Sequence, residues 1–258
     1  MAIIEVRELT KSFEGLRALD RVGFTIPHVE ILGLIGPNGS GKTTLFNLMT
    51  GFLEPTAGEV LFNGRRITGL KPHQIAGLGI GRVFQHTNFF PNLSVRENLK
   101  IAGHLKTHSS LFDSLVISKA YRREELMLED KMMELLGFVG LQDRVNMLAK
   151  NLPYGEQREL ELVMALSAEP NVLLLDEPAT GMNMRETDRL MHLIERLHQT
   201  GITILIVEHN MKVVMGICKR IVVVSFGVKI AEGTPEEITV NEEVLEAYLG
   251  KGAGNAKG

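Results

Sequence analysis

The chain has 258 residues, 44% of them apolar, and a net charge of −3. That is enough apolar mass for one large or two small domains with a sizeable core, and the charge balance gives no electrostatic case for a nucleic-acid partner. Its single cysteine, Cys218, excludes an internal disulfide and fits a reducing compartment as a small buried residue.

The start, Met1-Ala2-Ile3-Ile4-Glu5-Val6, has no basic flank ahead of an apolar core, so no signal peptide is expected. No apolar run approaches the ~18 residues of a membrane span. Residues 3–7 and 24–26, the latter stopped by Pro27, read as strands. The run Ile31-Leu32-Gly33-Leu34-Ile35 reads as a third. It leads directly into Gly36-Pro37-Asn38-Gly39-Ser40-Gly41-Lys42-Thr43-Thr44, which fits the phosphate-loop pattern G-x-x-x-x-G-K-[ST] at every fixed position, and residues 44–49 read as the helix that follows. Glycines let the backbone turn its N–H groups inward, and the helix N-terminus adds positive potential. Lys42 is placed to reach the β- and γ-phosphates and Thr43 to bind Mg²⁺. The alternative is a glycine-rich strand–helix turn without a ligand; the Lys and Thr at their proper places weigh against it.

Residues 59–62 form another strand, closed by the hairpin signal Asn63-Gly64. A short strand over 80–84 ends at Gln85, whose amide is suited to hold both Mg²⁺ and water, although glutamine alone is a weak signal. Residues 94–150 change character. Ser94 and Glu97 have capping-box spacing. A charged helix is expected over 122–136 with Leu126, Met133 and Leu136 as its apolar positions, and 104–118 lacks periodicity. That stretch reads equally as a plain surface loop or as a contact element.

Asn151-Leu152-Pro153-Tyr154-Gly155-Glu156-Gln157-Arg158 precedes a helix carrying Leu160, Val163, Met164 and Leu166, a second glycine-bearing helix N-terminus. Two such sites serve one nucleotide only if they meet across a dimer. The apolar strand Val172-Leu173-Leu174-Leu175 then ends in Asp176-Glu177. A strand buried on both faces presents an acid only at its end. Asp176 is placed to hold Mg²⁺ and Glu177 to polarise an attacking water. A helix over 184–199, with Leu190, Leu193, Ile194 and Leu197 on one face, ends at Gly201. The strand over 202–207 delivers Glu208 and His209, an imidazole suited to touch a γ-phosphate, though a lone histidine is more often structural. A closing hairpin around Gly227, a last helix over 242–249 and a disordered tail over 251–258 complete the reading.

In this order the motifs resemble those of the ATP-binding cassette (ABC) ATPases over nearly the whole chain. Leu-x-Tyr-Gly at 152–155, Gly181-Met182-Asn183, Glu208-His209-Asn210-Met211-Lys212 and the ending Val244-Leu245-Glu246-Ala247-Tyr248-Leu249-Gly250 resemble the ATPase subunit of branched-chain amino-acid importers. Related importers of urea, amides and other solutes share these traits. The resemblance implies an α/β phosphate-loop fold, with an antiparallel β subdomain and an inserted helical subdomain over 94–150. The α/β part would cover 1–93 and 151–240, with a C-terminal helix over 241–250.

It also implies ATP and Mg²⁺. Phe13 would stack on adenine, and Tyr154, Gly155 and Glu156 would be signature residues closing the nucleotide of a second ATPase subunit in a head-to-tail dimer. Transmembrane permease subunits, a solute-binding protein acting indirectly and a place at the cytoplasmic face of the membrane follow, with no nucleic acid. Competing readings are a partly degenerate partner subunit in a heterodimer and a non-transport ABC ATPase. The signature departs from the common Leu-Ser-Gly-Gly-Gln: Pro153 lacks the serine hydroxyl, and Glu156 sets a negative charge near an anion site unless it points away.

Overall fold

The computed structural model describes residues 2–85, 89–103 and 119–249, without the side chains of 119–126 and 128. The expected irregular stretch 104–118 and the expected tail 251–258 lie outside the described residues. Contacts divide the chain into two units, Met1–Gln85 with Asn171–Gly258, and His86–Pro170.

The first unit begins with a long hairpin, β1 (Ala2–Phe13) and β2 (Leu16–Pro27), followed by β3 (Ile31–Ile35) and α1 (Lys42–Met49). The strands expected over 3–7 and 24–26 are thus segments of longer ones. Glu8 and Arg21 take left-handed backbone angles, and several register shifts interrupt the pairing, which erases the period of two beyond the first few residues. Next come β4 (Ala57–Phe62), β5 (Arg65–Arg66), α2 (Pro72–Gly77) and β6 (Ile80–Val83). Four strands form an antiparallel sheet in the order β2-β1-β4-β5.

The second unit is helical: α3 (Val95–Gly103), α4 (Lys119–Val139) and α5 (Tyr154–Leu166). Ser94 and Glu97 exchange the expected capping bonds, Ser94 N–H to Glu97 Oε2 at 2.7 Å and Glu97 N–H to Ser94 Oγ at 3.2 Å. Asn98, fully buried on α3, ties down the preceding loop by accepting from Phe90 N–H at 2.7 Å and donating to Phe90 O at 3.0 Å. The inward face of α4 carries Met132, Leu136 and Val139, while Met133 is turned partly to solvent. Of the expected apolar positions, Leu136 is buried, Met133 is one position off and the side chain of Leu126 lies outside the described residues; i, i+4, i+7 from Met132 is the spacing that closes on the neighbouring helices. The helix α5 packs with α3 and α4, so it sits in this unit and not with the α/β part where its sequence position suggested.

The chain returns to the first unit with β7 (Val172–Asp176), α6 (Met184–Gln199), β8 (Thr203–Val207), α7 (Met211–Ile217), β9 (Arg220–Ser225), β10 (Val228–Gly233), α8 (Pro235–Thr239) and α9 (Glu242–Leu249). The second sheet has the order β10-β9-β3-β8-β7-β6, parallel except for the β9–β10 hairpin at its edge. Every residue of β3, β7 and β8 is buried, as unbroken apolar runs covered on both faces require. Leu45, Phe46 and Met49 of α1 share one core with Ile4, Leu9 and Ile26 of the small sheet and Leu34, Leu174 and Leu205 of the large one. This arrangement fixes α1 at the carboxyl edge of the parallel strands, where α/β sheets bind ligands.

Candidate active site

The phosphate-loop residues follow β3 without a break. Gly36 has φ +155, and a Cβ there would stand 1.9 Å from Val224 O on β9, so no side chain fits. The loop is held from below by the β9–β10 hairpin, whose Gly227 N–H donates to Ser40 O at 3.0 Å. Ser40 N–H donates to Pro37 O at 3.1 Å and closes the turn. Lys42 Nζ donates to Gly36 O at 2.8 Å and Pro37 O at 2.9 Å, curling back over the loop. Burial pushes the Lys42 ammonium down, and Glu177 and Asp176 push it back up.

At its start α1 differs from α6 and α8. Asn183 and Thr234 cap those two helices through their side chains, each in a box with Glu186 or Glu237. Before α1 stands Gly41, with no capping side chain and no acid in the first turn. The N–H groups of Lys42, Thr43 and Thr44 are thus left to an outside acceptor, which is what an oxyanion of a phosphate supplies.

The acidic pair stands at the end of β7. Glu177 adopts φ +48, a conformation that costs a non-glycine residue about 1–3 kcal/mol and is held by its N–H bond to Val207 O at 2.8 Å. Its Oε2 accepts from Gln85 Nε2 at 2.7 Å and Thr180 Oγ1 at 3.3 Å and lies 3.6 Å from His209 Nδ1. Gln85, Glu177 and His209, expected together from sequence, therefore converge on one carboxylate oxygen. Thr180 was not foreseen; a threonine in a loop carries no signal of its own.

Asp176 is buried and paired with Arg82 on β6, NH2 to Oδ2 at 2.9 Å. Burial pushes the Asp176 carboxyl up and the guanidinium pulls it back; burial likewise lowers Arg82. Arg82 gives no signal in the sequence, because a charge is ordinary on a half-buried edge strand; only the fold buries its side chain against Asp176. Glu208, 1% exposed, accepts from the backbone N–H of Ala179 at 2.7 Å, His209 at 3.1 Å and Asn210 at 3.2 Å. Burial raises this carboxyl and the three N–H groups hold it down. It locks the segment after the acidic pair to the end of β8, beside His209. Tyr248 of α9, partly exposed, was also missed as a site neighbour: burial raises its phenol and the nearby backbone of Gly36 pulls it back. Phe13, at the turn of the β1–β2 hairpin, is 40% exposed with Lys11 Nζ 4.9 Å from its ring centre.

In the helical unit, Pro153 is the N-cap of α5 and makes no side-chain capping bond. The Tyr154 hydroxyl accepts from Arg158 Nε at 3.1 Å, bending the ring back along its own helix. Arg158 is buried and also donates to Glu161 Oε2 at 2.8 Å. Glu156 is not a bare charge: its Oε2 lies 3.3 Å from Arg144 Nε, an ion pair within the unit.

Residues 19–180 match the family described as ABC transporter, and residues 228–254 match one described as branched-chain amino acid ATP-binding cassette transporter. The chain is 44% identical to the high-affinity branched-chain amino acid transport ATP-binding protein LivG of Salmonella typhimurium, over 96% of this chain and 98% of the relative. Among solved structures, the ADP conformation of the ATP-binding cassette MJ1267 is similar at a TM-score of 0.85, with 31% identity, covering 97% of this chain and all of that one. The dimeric post-hydrolysis state of the cassette MJ0796, bound to ADP and Pi, is similar at 0.74 with 25% identity, covering 90% of this chain and 98% of that one. Among the described residues no helix is long and apolar enough to cross a membrane.

Proposed function

This chain belongs to the ABC transporter family of ATPases, and from that membership we propose that it powers the import of branched-chain amino acids through separate permease subunits, working at the cytoplasmic face of the membrane. The observation that carries the solute class is the 44% identity to LivG across 96% of the chain, supported by the match over residues 228–254.

In this reading Phe13 stacks on adenine, residues 36–44 enclose the phosphates with backbone N–H groups, and Lys42 leaves its carbonyl partners for the β- and γ-phosphates. Thr43, Gln85 and Asp176 offer hydroxyl, amide and carboxylate oxygens, the hard donors that suit Mg²⁺, which when bound neutralises charge on the triphosphate. Glu177 orients the attacking water, with Gln85 and Thr180 fixing its carboxylate and His209 at its side. Orientation and preset charge account for most of phosphoryl-transfer catalysis.

A second ATPase subunit completes the site with residues around Gly155, an arrangement supported by the dimeric state of MJ0796. Its signature lacks a serine, so a heterodimer with a serine-bearing paralogue is the second reading, favoured by the uncapped Pro153.

The test is affinity purification of tagged Glu177→Gln protein from its own cells with ATP present, followed by mass spectrometry. Multi-span permease subunits and a second ATPase are the expected companions. Ribosomal or DNA-repair proteins without any permease would overturn the transport reading.

A further inference from the structure

We infer that Arg82 is a positioning residue for the metal-binding acid, holding Asp176 by one oxygen and coupling it to the helix that carries Thr43. The inference rests on the reading of Asp176 and Thr43 as cation-binding residues. Arg82 lies on β6, buried, with its guanidinium 4.4 Å from the ring centre of Phe84 and 5.5 and 5.7 Å from those of Phe46 and Phe52. One end, NH1, donates to Asn47 Oδ1 at 2.8 Å, in the last turn of the phosphate-loop helix, and to Thr50 Oγ1 at 2.9 Å, its C-cap. The other end, NH2, donates to Asp176 Oδ2 at 2.9 Å. Among the described residues, the second oxygen of Asp176 receives no hydrogen bond, so the guanidinium decides which oxygen remains for a cation and where it stands.

Stability alone gives a poor reason for this charge. Its Nε is buried without an acceptor among the described residues, and apolar residues of similar volume often serve stability as well as or better than a buried ion pair. The planar fork does something an apolar residue cannot: it links two elements by directed bonds at fixed geometry. Those elements are α1, which begins at Lys42 and Thr43, and the end of β7, which presents Asp176. Partners of this kind around metal ligands orient them and tune their affinity.

The experiment titrates a fluorescent non-hydrolysable ATP analogue into the full chain, once with Mg²⁺ and once with EDTA, and takes the ratio of the two Kd values. Asp176→Asn should collapse the ratio toward one. Arg82→Met should lower it about ten-fold while the EDTA affinity stays within about two-fold. Arg82→Lys, which keeps the charge and loses the fork, should fall between, and Asn47→Ala, which frees the guanidinium without touching Asp176, should lower it about two- to three-fold. If Arg82→Met does not fold, the last two variants decide. A wild-type ratio in every Arg82 and Asn47 variant, with Asp176→Asn collapsed, would leave Arg82 as a structural ion pair and overturn the inference alone. A ratio preserved in Asp176→Asn would remove the cation role of Asp176 and the inference with it.

Discussion

The two glycine-bearing helix starts, α1 in the α/β unit and α5 in the helical unit, look alike in sequence and differ in how they are built. At α1 the backbone is forced: Gly36 has no room for a Cβ, Lys42 bonds to loop carbonyls, and no side chain caps the helix. At α5 the side chains bond within the helical unit, Tyr154 to Arg158 and Arg158 to Glu161 along the helix, and Glu156 beside Arg144 of the preceding turn. The first leaves its helix N–H groups without a side-chain cap inside the chain. The second pairs its charged side chains within its own unit, and in the proposed function it closes a nucleotide held by another subunit.

The largest effect should come from breaking the first. Gly36→Ala or Lys42→Ala should weaken nucleotide binding by at least about a hundred-fold, measured by fluorescence titration; Lys42→Ala should also lower the melting temperature somewhat, since it removes the bonds to Gly36 O and Pro37 O. Retained affinity in Gly36→Ala would show that the clash with Val224 is relieved by movement.

Glu177→Gln should keep nucleotide affinity and lose about 10²–10⁴-fold in hydrolysis rate. Preserved turnover would show that another group orients the water.

The second start is sharpened by Pro153→Ser, which restores a hydroxyl at the cap. A bond to a charged phosphate is worth roughly 1.5–3 kcal/mol, so ATP-driven dimerisation should strengthen at least about ten-fold by analytical ultracentrifugation. Glu156→Gln should do little, about two-fold, since Arg144 already offsets the carboxylate. A large gain from Glu156→Gln with none from Pro153→Ser would reverse this account of why the signature is weak.

An effect read in stability and not in binding lies in the core of the α/β unit. Burial pushes the Cys218 thiol up from 9.0 to about 12. An acid raised in the fold holds its proton more tightly there than in the unfolded chain. It therefore favours the fold at low pH, and that advantage is lost as pH rises from the ordinary thiol value toward about 12. Cys218→Ala should flatten the loss of stability above about pH 9, where the thiol contributes about 1.4 kcal/mol per pH unit. An unchanged alkaline limb in chemical denaturation would mean the thiol reaches solvent.

Local rules made much of this protein legible from its residues. A phosphate loop is a contiguous stretch whose backbone angles and helix start are set by its own glycines, so Gly36 to Thr44 could be read directly. Runs such as Val172 to Leu175 and Ile204 to Val207 allow only a buried strand, and a strand buried on both faces can offer Asp176, Glu177 and His209 only at its end. The long-range choices were decided by tertiary structure. The extension of β1 and β2 depends on irregular cross-strand pairing, the inward face of α4 on which residue meets α3 and α5, and the membership of α5 on packing that adjacency in the chain does not encode. Arg82 on Asp176, Thr180 on Glu177, Glu208 on the Ala179 N–H and Tyr248 against Gly36 join residues separated by between 3 and 212 positions. Such partners are chosen by the space and the unsatisfied charge left when the sheet closes, and neither exists until it has closed.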